Sequence, residues 1–166
     1  MKKRSFTSAL LLGVTAGLRT MTAPAALALA RQQPGAERIW FLDSPRTVRV
    51  LTGLAVGELV FDKLPFAPKR IAPAALSGRL LSGAMCGAAV APEDETAGAL
   101  LGIAGALASS FAGYFLRRRL GRVRGVPDAL IGLSEDAVAI GIGLVATSLE
   151  SASAETAQGP RLVDAA

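Results

Sequence analysis

Apolar residues run through this chain in five long stretches, each closed by a cluster of charge, proline or glycine. The stretches extend from about Phe6 to Ala30, Thr47 to Phe61, Ile71 to Ala91, Thr96 to Leu116 and Asp128 to Leu149. None shows sustained alternation of apolar and polar positions, and Gly and Ala recur inside them, which disfavours strands. The pattern predicts an all-α polytopic transmembrane helical bundle of about five membrane segments over residues 1–149. A polar, disordered tail is expected over residues 150–166. The second stretch is shorter than the ~20 residues a span normally needs. Lys2, Lys3 and Arg4, the apolar run and Ala28-Leu29-Ala30 also match a secretory signal peptide with its cleavage site. Arg19 inside the run, and continuation past Pro24, favour a retained first helix instead.

Composition strengthens the membrane reading. Of 166 residues, 51% are hydrophobic and 19% charged, and the mean hydropathy is +0.44. Eighteen glycines with few aromatics let helix backbones approach closely, which is how helices associate in lipid. The net charge of +5 does not read as nucleic-acid binding, because the basic residues flank apolar segments without interleaved aromatics. One Cys and no His exclude a disulfide framework and a Cys/His zinc site. No metal or other cofactor is expected.

Loop charge predicts the orientation. If each stretch crosses once, Lys2, Lys3, Arg4, Lys63, Lys69, Arg70, Arg117, Arg118, Arg119, Arg122 and Arg124 share one side. Arg31, Arg38, Arg46 and Arg49 lie on the other with the acidic turn Glu93-Asp94-Glu95. Eleven basic residues against four place the N-terminus inside. The Pro-rich linker 62–73 reads as a cytoplasmic loop, with a partly inserted connection as the alternative.

The candidate chemistry sits where charge interrupts the apolar stretches. Arg19, Arg79, Glu135 and Asp136 lie near mid-stretch, where a charge costs roughly 2.5–3.5 kcal/mol. In the first stretch, Pro24 is expected to kink the helix and free the carbonyl near Thr20, with Thr20 and Thr22 re-satisfying backbone groups. A kink beside a guanidinium suits a carboxylate or other anion. Arg79 lies ~13 Å of helix inside its stretch, too deep to snorkel easily, so a partner or a wet cavity is expected. Glu135 and Asp136 point about 100° apart and could answer two cations such as Arg19 and Arg79; alternatively one is protonated and titrates.

A secondary cluster joins Glu58 and Asp62, four apart on one helical face, with Lys63 beside them. It reads as a carboxylate pair met by nearby cations, or less simply as a hard-cation site. Small residues spaced by four mark close helix crossings at Gly53 and Gly57, Gly83 and Gly87, and Gly98 and Gly102. Cys86 reads as a packing thiol.

Gly17-Leu18-Arg19 with Pro24, Asp62-Lys63-x-Pro65, the Gly-rich third stretch and the acidic fifth stretch together resemble the bacterial DUF4126 family of small integral membrane proteins. The resemblance covers most of residues 6–149. It implies a membrane location and a retained first helix, and no reaction.

These features predict a multi-pass protein of the bacterial inner membrane that moves a solute or ion, with a small anionic solute favoured by the two arginines. The alternative is an interaction or assembly protein whose buried ion pairs fix helix register, within the chain or in a homo-oligomer. An enzyme is not expected, since no His base, nucleophile elbow or P-loop is present.

Overall fold

The computed structural model describes residues 2–33, 42, 44–61, 72–120 and 128–158. Helices account for nearly all of them, and no strand occurs among the described residues: α1 (Lys2–Leu18), α2 (Thr22–Ala30), α3 (Pro45–Phe61), α4 (Pro73–Ala89), α5 (Glu95–Leu120) and α6 (Asp128–Gln158).

Local chemistry explains the helix starts. Pro45 and Pro73 open α3 and α4, where a missing N–H costs nothing. Asp94 Oδ1 accepts the Ala97 N–H at 3.0 Å and caps α5. Glu95 in the first turn of α5 and Arg117, Arg118 and Arg119 in its last turn both complement the helix dipole.

The centre of the bundle is a sandwich of backbones, with α5 between α1 and α4. A Cβ at Gly102 would collide with the Gly83 carbonyl, and one at Gly13 would collide with the Gly102 carbonyl. Gly102 and Gly13 therefore admit no side chain, and α5 touches both neighbours at Gly102. Gly87 and Gly98 make the same close approach further along. Short interhelical distance brings many weak contacts into range, the source of helix affinity where lipid replaces water. The aliphatic core is small and lies at the α1–α2 face, around Leu12, Leu27, Leu42 and several alanines, with Cys86 among them.

The first apolar stretch is not one kinked helix. It breaks at Arg19–Met21 and turns back on itself. Gly143 on α6 has both Thr15 of α1 and Ala26 of α2 beside it, each at 3.5 Å from its Cβ position. In a continuous helix those two residues would stand ~16 Å apart. Three contacts then give the register of α2 on α6: Arg19 with Asp136, Ala26 with Gly143, and Arg31 with Glu150. The two helices run parallel, and α1 runs antiparallel to both. Pro24 is the third residue of α2, where the N–H has no helical partner in any case. The proline thus helps to start a second helix instead of bending the first.

The hairpin overturns the orientation argument. Gly13 meets Gly102 and Gly17 meets Ala106 and Ser109, so α1 runs parallel to α5. Lys2, Lys3 and Arg4 accordingly lie at the end that carries Glu95, opposite Arg117, Arg118 and Arg119. The tally of eleven against four assumed the reverse, and it no longer orients the chain.

Among the described residues, two helices are long and apolar enough to cross a membrane, α5 over Glu95–Leu120 and α6 over Leu130–Glu150. Their most apolar windows are only 33% and 44% buried, with Leu100, Phe115, Leu133 and Leu144 exposed. Five full spans are not met on this criterion. The helices α1, α3 and α4 have 17 residues each, ~25 Å of helix against ~30 Å of hydrocarbon.

Two further expectations change. Helix α6 continues to Gln158, so the polar segment after Glu150 begins as helix. Gly53 and Gly57 have nothing within 4 Å of their Cβ positions, so α3 makes no close crossing through them among the described residues; α3 packs chiefly on α2. The linker over residues 62–71, with Asp62 and Lys63, and the tail over residues 159–166 lie outside the described residues.

Candidate functional site

The turn Arg19-Thr20-Met21 leaves backbone polar groups that neither helix can satisfy, and it is packed against three other helices with Arg19 buried and Thr20 and Met21 half-buried. It sits level with Ser110 on α5, ~10 Å of helix short of Arg117. Stranded buried groups of this kind cost about 1–3 kcal/mol each. Three other helices supply the partners. Glu58 of α3 accepts the Thr20 N–H through Oε1 and the Met21 N–H through Oε2, both at 2.7 Å. Ser82 of α4 donates to the Thr20 carbonyl at 2.6 Å, and Ser110 of α5 donates to the Gly17 carbonyl at 3.1 Å. The carboxylate also sits at the positive end of the α2 dipole, where a negative charge is favoured.

The sixth helix meets the turn by charge. Arg19 is 1% exposed and pairs with Asp136 of α6. Glu135, one residue earlier, turns away and lies 4.0 Å from Arg117 of α5. At the far end of the hairpin, Arg31 pairs with Glu150. Helix α6 is thereby tied to α1, α2 and α5 by three acidic residues. Arg79 is 4% exposed on α4, on the face shared with Ser82 three residues on. Gly78 faces Thr20 across the same contact.

The sequence-derived site is therefore brought together in part. Arg19, Thr20 and Asp136 meet at the turn, Thr22 is buried in the first turn of α2, and Arg79 stands nearby. The hydroxyls that satisfy the freed carbonyls belong to Ser82 and Ser110, in place of the expected Thr20 and Thr22. Glu58 leaves the expected grouping with Asp62 and Lys63 to bind the turn's backbone. Sequence reasoning missed Arg31, Arg117 and Glu150 as ion-pair partners. A signal existed: Arg19 to Arg31 and Asp136 to Glu150 are similarly spaced, as two parallel helices require.

Beside the turn, a groove of about 750 Å³ opens between α5 and α6, with Val14 and Leu18 of α1 as its floor. Its polar end holds Ser134, Glu135 and Arg119. Among the described residues, no three acidic or Cys side chains gather to form a metal cage.

Chemically, the turn is an anion-binding backbone whose anion is the protein's own Glu58, alongside a guanidinium held by Asp136. No protein-family model, curated protein or solved structure matches the chain, so its functional reading rests on this geometry.

Proposed function

We propose that the chain is a small multi-pass protein of a bacterial inner membrane that moves a small anionic solute past the tip of its first hairpin. One observation carries the reading: the ends of two helices meet inside the bundle, and polar side chains from other helices complete them. Broken helices of this kind bind anionic groups at the half-helix N-terminus and are tolerated at membrane depth only when buried in protein or facing a cavity. Glu58 stands where a solute carboxylate would bind, and Arg19 supplies a fixed positive charge beside it. The bilayer location is supported by the exposed apolar faces of α5 and α6. No reaction is assigned to the site.

A specific observation favours a second reading, a structural lock that fixes helix register. Glu58 binds two N–H groups, Asp136 binds Arg19 and Glu135 stands near Arg117. A buried network of paired charges can serve specificity alone.

Purified protein in liposomes separates the two. Transport predicts flux of acetate, chloride or phosphate above empty vesicles, and a severalfold loss in Arg79→Gln, which removes a buried cation near the turn and leaves the Glu58 hydrogen bonds in place. Wild-type vesicles indistinguishable from empty ones for all three anions leave the lock as the reading.

A further inference from the structure

We propose that the groove between α5 and α6 holds one acyl chain of an anionic phospholipid, with the headgroup at Arg119. The inference rests on the bilayer location but not on transport. Helices α5 and α6 touch sparingly, and α1 closes the gap behind them, which leaves a groove open to the side. Its volume of about 750 Å³ lies in the range of ligand sites, ~300–1,000 Å³. Along α5 the lining runs from Ser109 to Arg119, ~15 Å of helix, or half of a ~30 Å hydrocarbon layer. That is the depth of a single leaflet.

The chemistry is graded along that length. Val14, Ala112 and Ile142 line the inner part with Ser109, whose hydroxyl donates to the Ala106 carbonyl, whereas Ser134, Glu135 and Arg119 lie at the outer end. Arg119 and Glu135 are the charged residues that line it; Arg117 and Arg118 lie at the same end of α5, against Glu135 and Asp128 on α6, so this end of the bundle keeps a net positive charge. An apolar slot one leaflet deep under a cationic rim fits a chain with a negative headgroup, and a zwitterionic lipid lacks the net charge that rim selects.

The test uses the full chain extracted from membranes and equilibrated with phosphatidylglycerol and phosphatidylcholine of matched chains. Lipid retained per protein is counted by native mass spectrometry. Phosphatidylglycerol should be retained in preference, and Arg119→Gln should lower that preference about fivefold, the effect of one basic residue at a charged surface. Ala112→Phe, at an exposed position in the slot, should abolish retention. Arg46→Gln, exposed at the start of α3, should change nothing. Equal retention of the two lipids, or unchanged retention in Ala112→Phe, overturns the proposal. Release of the protein from membranes by alkaline carbonate would instead overturn the bilayer location, and the lipid site with it.

Discussion

Arg19 is the residue on which the molecule turns, because burying a guanidinium is costly and each neighbour offsets part of that cost. Asp136 supplies the opposite charge, while Glu58, Ser82 and Ser110 satisfy the backbone that the turn exposes. Removing one member of a buried pair strands the other and costs about 3–5 kcal/mol. Asp136→Leu and Arg19→Leu should each lose that much by thermal unfolding in detergent, and the double variant should recover most of it. Additive losses in the double variant would mean that the two side chains do not act as a pair. Glu58 tests the backbone side of the same site. Glu58→Ala strands two N–H groups, at about 1–3 kcal/mol each. Glu58→Gln keeps one acceptor oxygen, so it should lose roughly half as much in the same measurement.

Among the helices, glycine decides which faces meet. Gly102 has a backbone carbonyl against it on α4, and its own carbonyl lies against Gly13 on α1. Gly102→Val should therefore cost at least the ~1–3 kcal/mol of an overpacked core. Gly53→Val, with open space at its Cβ position, should leave stability of the monomer unchanged. Circular dichroism melts of the two variants side by side check both outcomes. The spacing of Gly83, Gly87, Gly98 and Gly102 made the α4–α5 contact legible in the sequence, but the same spacing at Gly53 and Gly57 marks a face that meets none of the described residues. A four-residue repeat of small residues says that a close contact is sterically allowed, and the neighbour must come from elsewhere in the fold.

At the scale of the whole molecule, the hairpin of α1 and α2 sets the architecture, and here the sequence was least legible. A proline kink and a three-residue reversal use the same signals, namely Pro24, small neighbours and a polar interruption at Arg19-Thr20. Only contacts distant in the chain distinguish them. The buried charges could be found because their cost demands a reason, and Arg19 with Asp136 is one of the pairings that charge balance suggested. Arg31 and Arg117 were hidden because basic residues flanking apolar helices have an ordinary role in orientation. Glu58 was hidden because its partners are backbone N–H groups, which no residue pattern displays. The reversal also places the start of α1 with the start of α5, which puts Lys2, Lys3 and Arg4 at the end opposite Arg117, Arg118 and Arg119. Cysteine cross-linking tests the hairpin most directly. In a Cys86→Ser background, Thr15→Cys with Gly143→Cys and Ala26→Cys with Gly143→Cys are oxidised in separate double variants. The Cβ separation of 3.5 Å between Ala26 and Gly143 matches disulfide geometry, and Thr15 borders the same site. The hairpin predicts an intramolecular disulfide in both variants. Cross-linking through Thr15 but not through Ala26 would show a continuous first helix and contradict the account.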